Sequence, residues 1–302
     1  MGSFGRIVRS VKAFSREWNR VAGLSKGRPT LGLALGGGFA RGIAHIGVLK
    51  VLEEEGIPVD FVAGTSVGSI IGAGYCSGMT AAELSDLART LRLSSLARLT
   101  LSRYGFYNND RMVRFFERVL KQHRFEDLKI PLAIVATEFR TGEPAVFTEG
   151  KLVDPIRASC AYPGMFLPVE IGGKSYIDGM LAYPVPTTPL RQMGADCVLG
   201  IYLSAHWNQA RPPKHVFEVI GQCFSIAQAK LADSWKKDAS LVIEPELAGF
   251  SYDCFERTPE LITVGEMAMK AALPQVKAML GLHTPKPDAP SATIKPQTSP
   301  AA

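Results

Sequence analysis

The stretch from Thr30 to Leu35 reads TLGLAL, mostly small and apolar, and it stops at three glycines, Gly36, Gly37 and Gly38. Beyond them Ile43, Ile46, Leu49 and Leu52 recur every three or four residues until Gly56 and Pro58 end the pattern. An apolar run closed by turn residues reads as a buried strand, and three-to-four spacing is one face of a helix. The prediction is strand, glycine loop, helix. Pro58 to Ala63 repeats the strand signal, GTSVG (Gly64 to Gly68) is its turn, and the small residues Ser69 to Gly74 suit a helix lying close against a sheet. Two such units in succession are the mark of a parallel α/β sheet.

Further along, Thr80 and Glu83 form a capping box ahead of Leu84, Leu87 and Leu91 on one helix face. Asn109 to Lys121 reads as another helix, Ile130 to Thr137 as a strand and Asp154 to Ala161 as a short helix. Glu170 to Ile177 is a hairpin turned by Gly172-Gly173, and it delivers the chain to Asp178-Gly179. Cys197 to Leu203 is a late strand, and Pro259 to Leu280 a late helix with Thr258 as its cap. The last twenty residues hold five prolines, a composition that predicts a disordered tail. Phe61 to Ala82 carries no charge for 22 residues, the length of a membrane span, but its turn residues argue against a transmembrane helix. The expected organisation is an appendage over 1–28, one domain over 29–281 and a tail over 282–302.

Charge refines that division. Residues 1–28 hold seven Lys and Arg against the single acid Glu17, which accounts for the whole net charge of +6. A basic groove spread over the main domain is therefore not expected, and neither is a nucleic-acid partner. In the appendage Phe4, Ile7, Val8, Val11, Phe14, Trp18 and Val21 form one apolar helical stripe, with Arg6, Arg9, Lys12, Arg16 and Arg20 on the other faces. This is the composition of a helix lying in a membrane interface, so residues 4–21 are the expected contact with a membrane surface. Docking of the stripe on its own domain or on a second subunit, giving a homo-oligomer, stays open. The first 28 residues lack the apolar core of a signal peptide, and Arg6 breaks the myristoylation pattern. A cytoplasmic protein, peripheral on the inner membrane, is expected. The five cysteines are odd in number, with no Cys-x-x-Cys spacing, so neither a disulfide framework nor a zinc site is predicted.

The three glycines invite a phosphate-binding reading. A Walker A loop needs Lys-Ser/Thr, which is absent, and the dinucleotide fingerprint fails because Arg41 falls on its last position. Asp60 lies at a tempting distance for that fold but leaves GTSVG and the Asp178 turn unexplained. A glycine loop at a helix start also suits an oxyanion hole, since its N–H groups converge at the positive end of the helix dipole. Gly37 and Gly38 are the candidates. Arg41 in the first turn is opposed by that dipole; it braces the loop, meets an anionic head group, or makes a surface salt bridge. Ser66 in Gly-x-Ser-x-Gly has the spacing of a nucleophile on a strand-to-helix turn. Its base is open on local grounds: Asp196 with His206 or His215, or Asp178 acting directly, while His45 reads as a packing residue.

Taken jointly, GGGFARG (Gly36 to Gly42) with AHIGVLKVLEEEGIPVD, then GTSVG, then RASCAYPGMFLPVEIGGKSYIDGM (Arg157 to Met180) resemble in order and spacing the bacterial patatin-like phospholipases. The resemblance covers about residues 30 to 280. It implies a three-layer α/β/α sandwich with a mainly parallel central sheet, and a Ser-Asp dyad in which Ser66 is the nucleophile and Asp178 the base. It also implies that Gly36, Gly37, Gly38 and Arg41 form the oxyanion loop, and that no cofactor or metal is needed. The activity implied is carboxylic ester hydrolysis of the phospholipase A, lysophospholipase or esterase type on a phospholipid or other acyl-ester substrate. Acyl transfer through the same dyad, or a non-catalytic membrane-binding role, are the alternatives. Phe39 replaces a glycine common in the family and Met180 a small residue after Asp-Gly.

Overall fold

The computed structural model describes residues 27–91, 93–204 and 216–282. The stripe over 4–21, His206, His215 and the proline-rich tail from 283 lie outside them. Eleven strands are present among the described residues: β1 (Leu31–Leu35), β2 (Phe61–Thr65), β3 (Arg98–Ser102), β4 (Gly105–Asn108), β5 (Leu132–Glu138), β6 (Pro144–Phe147), β7 (Gly164–Phe166), β8 (Val169–Ile171), β9 (Lys174–Asp178), β10 (Cys197–Ile201) and β11 (Leu241–Ile243). The helices are α1 (Ala44–Glu54), α2 (Val67–Cys76), α3 (Ala81–Thr90), α4 (Leu93–Leu96), α5 (Arg111–Val119), α6 (Val153–Ser159), α7 (Thr187–Met193), α8 (Val216–Lys236) and α9 (Thr258–Met279).

Strands β11, β10, β1, β2 and β5 lie side by side, all parallel, as the repeated strand–turn–helix pattern predicts. Their residues alternate between two cores. Leu31, Leu33 and Leu35 of β1, Val62 of β2, Leu132 and Ile134 of β5 and Leu199 of β10 enter the larger core, with Ile46 and Leu49 of α1 and Leu261 and Met269 of α9. Ala34, Phe61, Ala63, Ala133 and Val198 face the other way, onto Leu190 and Met193 of α7 and Trp235 of α8. Helices thus cover both faces of the sheet, giving the α/β/α sandwich. A smaller sheet of β3, β4 and β7 stands apart.

The antiparallel part of the main sheet is what positions the site. β5 pairs with β2 from Leu132 to Val135, with β6 from Ile134 to Thr137, and with β9 from Ala136 to Glu138. Because β6 overlaps both other pairings, it occupies one edge of β5, and β2 and β9 share the opposite edge end to end. Thr65, the last residue of β2, faces Val135, and Asp178, the last of β9, faces Ala136. The residue after β2 and the residue ending β9 are thereby brought together. The β8–β9 hairpin turns at Gly172 and Gly173, both in the left-handed region at φ 58° and 76°.

Several sequence expectations shift in detail. The Thr80–Glu83 capping box is present, with Glu83 N donating to Thr80 Oγ1 and Thr80 N to Glu83 Oε2. Thr258 is the first residue of α9 rather than its cap, and its hydroxyl donates to Phe255 O at 2.7 Å. The uncharged run Phe61 to Ala82 divides into β2 and α2, and no described helix is long and apolar enough to cross a membrane. Asp60 accepts a two-point ion pair from Arg28 and the Leu31 N–H, so it anchors the start of β1.

Helices α1 and α9 cross at glycines. A methyl at Gly47 would stand 2.0 Å from Ile262 O, and one at Gly265 would stand 1.9 Å from Ala44 O. Gly47→Ala and Gly265→Ala are therefore each expected to destabilise the fold by about 3 kcal/mol or more, since backbone cannot yield as a side chain does. Gly200→Ala, whose methyl meets nothing nearer than 3.5 Å, is expected to stay within about 1 kcal/mol. Denaturant midpoints check the contrast.

Candidate active site

Ser66 sits between β2 and α2 with φ 54° and ψ −124°, a region that a side chain enters only under strain of order 1–3 kcal/mol. The flanking glycines explain how the chain tolerates it. A methyl at Gly64 would meet Gly68 O at 2.5 Å, and one at Gly68 would meet Leu35 O at 2.1 Å. Only hydrogen fits at either place, so Gly-x-Ser-x-Gly is the composition this tight turn requires. Ser159 at the end of α6 locks it: its hydroxyl accepts the Ser66 N–H at 2.7 Å and donates to Val135 O at 2.6 Å.

The turn aims the Ser66 hydroxyl at β9. Ser66 Oγ donates to Asp178 Oδ2 at 2.7 Å, while Asp178 Oδ1 accepts the Met180 N–H at 2.9 Å. Asp178 is fully buried apart from 1% of its surface, and Thr137 Oγ1 and Ala161 O fix its backbone. Burial without a cationic partner disfavours the carboxylate, and the two donors only partly offset this, so its pKa is pushed up to about 7. Gly179 follows because any side chain there would strike Val135 O, 2.2 Å from its Cβ position.

The glycine loop divides into committed and uncommitted amides. Gly36 N donates to Ile201 O and Gly37 N to Pro184 O, each at 3.2 Å. Gly38 N, in contrast, has no backbone acceptor among the described residues, and neither does Val67 N at the start of α2. Of the two expected oxyanion donors, Gly38 therefore has the free N–H, and Gly37 serves the fold. Gly37 nevertheless lines the site: a methyl on it would stand 3.3 Å from Ser66 Cβ and 2.5 Å from Met180 Sδ. Phe39 takes φ 53° in spite of its side chain, with its ring held against Phe255 at 5.5 Å between centroids. Phe39 and Val67 also line an apolar cleft with Ile70, Leu84, Leu87 and Phe116.

Arg41 makes no surface salt bridge. It is 4% exposed, with its guanidinium 4.1 Å above the Tyr252 ring and Nη1 donating to Ser204 O at 3.5 Å. His45 is a packing residue with one task, since its Nε2–H donates to Gly36 O at 2.8 Å and so holds the loop. Burial lowers its pKa to about 4, which keeps the ring neutral. Asp196 is removed from contention by the topology. It precedes β10 and binds Thr30 at the opposite end of the strands, roughly 16 Å of strand from Ser66. Among the described residues there is no group of three or more potential metal ligands, and all five cysteines are free. Sequence reasoning missed Ser159, Val67 and Tyr252; each lies within or beside a recognisable block, but nothing local marks its role.

The model of the family described as patatin-like phospholipase matches residues 33–191, more than half of the chain. The chain belongs to the patatin-like phospholipase family. It is 34% identical over 188 residues to an uncharacterized NTE family protein of Mycobacterium tuberculosis, covering 61% of this chain and 51% of that one. It is 36% identical over 204 residues to human patatin-like phospholipase domain-containing protein 6, covering 63% of this chain and 15% of the relative. With the lysophospholipase NTE1 of Yarrowia lipolytica the identity is 32% over 201 residues, 65% of this chain and 14% of the relative. The chain thus spans about half of the length of the mycobacterial relative and about a seventh of the other two. VipD of Legionella pneumophila shares the fold, with a TM-score of 0.50 and 13% identity over 83% of this chain and 67% of its own.

A carboxyl whose pKa stands near neutrality accepts a proton only when ionised, so any reaction using Asp178 as base should rise with pH through about 7. The same shift opposes stability. Relative to its ordinary value the folded pKa is raised, so the protonated form stabilises the fold below pH 4 and that contribution is lost as pH rises through about 7. Asp178→Asn is therefore expected to melt at a higher temperature than the unaltered protein at pH 8, with a narrower gap at pH 5. Thermal unfolding at the two pH values checks the sign.

Proposed function

We propose that the protein is a serine acyl hydrolase acting on lipid esters, of the phospholipase A or lysophospholipase type, with Ser66 as nucleophile and Asp178 as its direct base. The observation that carries the reading is the 2.7 Å hydrogen bond from Ser66 Oγ to a buried carboxyl on a strained strand-to-helix turn. The likeness to relatives named as phospholipase and lysophospholipase supports the substrate class.

In this mechanism Asp178 Oδ2 takes the hydroxyl proton as Ser66 Oγ bonds to the ester carbonyl carbon. The carbonyl oxygen becomes the oxyanion, and the Gly38 N–H, ahead of the 3-10 turn Phe39–Ile43, and the Val67 N–H at the start of α2 favour its charge. Collapse of the tetrahedral species breaks the ester C–O bond, and the leaving alkoxide takes the proton from Asp178. Asp178 then deprotonates a water that attacks the acyl-enzyme, and the proton returns to Ser66 as the fatty acid departs. No imidazole is required at any step. The apolar cleft beside Val67 and Phe39 gives the acyl chain a dry lining.

Ser66→Ala and Asp178→Asn should each nearly abolish hydrolysis of p-nitrophenyl esters and lysophospholipids, by about 10²–10⁴-fold for the base and at least as much for the nucleophile. A folded variant keeping more than roughly a tenth of the rate would reject the dyad. His206→Ala and His215→Ala should keep most activity; collapse in either would restore an ordinary triad. The stripe over residues 4–21 is assigned to a bilayer surface. Deleting residues 1–24 should weaken sedimentation with anionic liposomes and spare soluble esters, whereas loss of dimerisation instead would give the segment to a protein interface.

A further inference from the structure

The outer face of α8 departs from the rule that a surface helix turns polar side chains to water. From Val219 to Ala229 the chain carries no charge. Val219, Cys223, Ile226 and Ala229 are exposed at helical spacing, while Phe224, Ser225 and Gln228 turn inward. Val219 is 47% exposed and Ile226 53%. This apolar stripe has company. Of the eight large apolar side chains exposed among the described residues, six lie on three elements: Val219 and Ile226 on α8, Leu99, Tyr104 and Phe106 on the β3–β4 hairpin, and Leu181 just after the Asp178 turn.

The three elements adjoin one another beside the catalytic pair. β4 pairs with β7 through Gly105 and Gly164, and Gly164 lies against α8, where a methyl on it would stand 2.9 Å from Ile220 Cδ1. Tyr162, just before β7, packs on Phe224 of α8 with 4.8 Å between ring centroids. Its neighbour Ala161 accepts the Asp178 N–H at 3.0 Å, and Asp178 accepts the Ser66 hydroxyl at 2.7 Å. The 3-10 turn Gly179–Leu181 also packs on α8. The hairpin and the α8 stripe are thus linked to Ser66 and Asp178 through one short segment, Ala161 to Phe166. The charge around them has a single sign. Arg98 and Arg103 on the hairpin and Lys230 at the end of the stripe are exposed, and neither 98–108 nor 219–230 contains an acidic residue. The Arg103 guanidinium stands 4.8 Å from the centroid of the Tyr104 ring.

We infer that this rim is the surface by which the protein seats its site on a lipid bilayer, with Tyr104 and the α8 stripe entering the acyl boundary and Arg98, Arg103 and Lys230 meeting head-group phosphates. The inference rests on the reading of Ser66 and Asp178 as a lipid-ester dyad, since a buried serine can reach such an ester only if the lipid passes from the bilayer without crossing water. Aromatic and aliphatic side chains flanked by cations are the composition that a membrane interface favours. A second copy of the chain fits the rim less well, because a two-fold contact would set this surface against itself, cation toward cation. The contact is separate from that assigned to residues 4–21. A terminal helix holds the protein near the membrane, and the rim decides which face is turned to it.

Cys223 supplies the reporter for a test, because it lies in the stripe and is exposed while the other four cysteines are buried. An environment-sensitive thiol dye on Cys223 of the full chain should shift to the blue on vesicles of mixed phosphatidylcholine and phosphatidylglycerol, and should become protected from iodide quenching. Val219→Glu combined with Ile226→Glu should remove that shift and, without the dye, weaken vesicle binding about tenfold or more. Hydrolysis of soluble p-nitrophenyl butyrate should be unchanged in the same variant. Arg98→Gln and Arg103→Gln should each weaken binding about fivefold on these vesicles and leave binding to phosphatidylcholine alone as it was. A dye that stays open to iodide while the protein sediments with vesicles would overturn the inference and leave residues 4–21 as the whole contact. A double variant that loses self-association but keeps vesicle binding would also overturn it, giving the stripe to a second copy. Should the double variant fail to fold, the dye on the otherwise unaltered protein decides alone. The vesicle measurements need no turnover, so repeating them in Ser66→Ala, alongside its hydrolysis assay, separates failure of the dyad from failure of the rim.

Discussion

One carbonyl on β5 organises the centre of this protein. Val135 faces the end of β2 and accepts the Ser159 hydroxyl, and Gly179 presses its Cα against the same oxygen. Ser159 in turn takes the Ser66 N–H, so the serine turn and the aspartate turn are both referenced to a single peptide. Because side chains alternate along a strand, a slip of β9 by one residue would direct Asp178 to the opposite face and leave Ser66 without an acceptor. The glycines on either side of Ser66 and the one after Asp178 are consequences of how closely the two strand ends must approach.

The same closeness opposes the fold energetically. Ser66 is held in a strained backbone region, Asp178 is kept from water with two donors and no cation, and Arg41 is buried over Tyr252 with two of its three guanidinium nitrogens idle. The remainder of the molecule is built to tolerate this. Branched and long apolar side chains fill one face of the parallel strands, three alanines with Phe61 and Val198 the other, and helices close both. A buried site that tunes a carboxyl toward neutrality needs that rigidity, since any relaxation admitting water would return Asp178 toward its usual acidity.

Most of this architecture was legible because its signals are local. The strand–glycine–helix units, the capping box at Thr80 and the Gly172-Gly173 hairpin all lie within a few residues, and Ser66 and Asp178 stood out on turns of recognisable composition. What could not be read is what depends on separation along the chain. That Ser159 locks Ser66 is a contact across 93 residues, and nothing near Ser159 announces it. Which glycine amides are free depends on Pro184 and Ile201, far from the loop. Arg41 was legible as an anomaly on a helix start, but its burial depends on Tyr252 and Ser204 closing over it. The short strands β3, β4, β6, β7 and β11 and the helix α8 gave no clear period and were not foreseen.

A carboxyl that titrates near neutrality makes the site a small reservoir of protons. A ligand that enters and covers the Ser66 side of the site deepens the desolvation of Asp178, which favours its neutral form and draws a fraction of a proton from solution. Departure of the ligand returns it. Binding and catalysis are thus opposed in their demand on one oxygen: the dry state that shelters an acyl chain is the state in which the base is least ionised. The heat of binding would then depend on the ionisation enthalpy of the buffer, even for a ligand that carries no titratable group of its own.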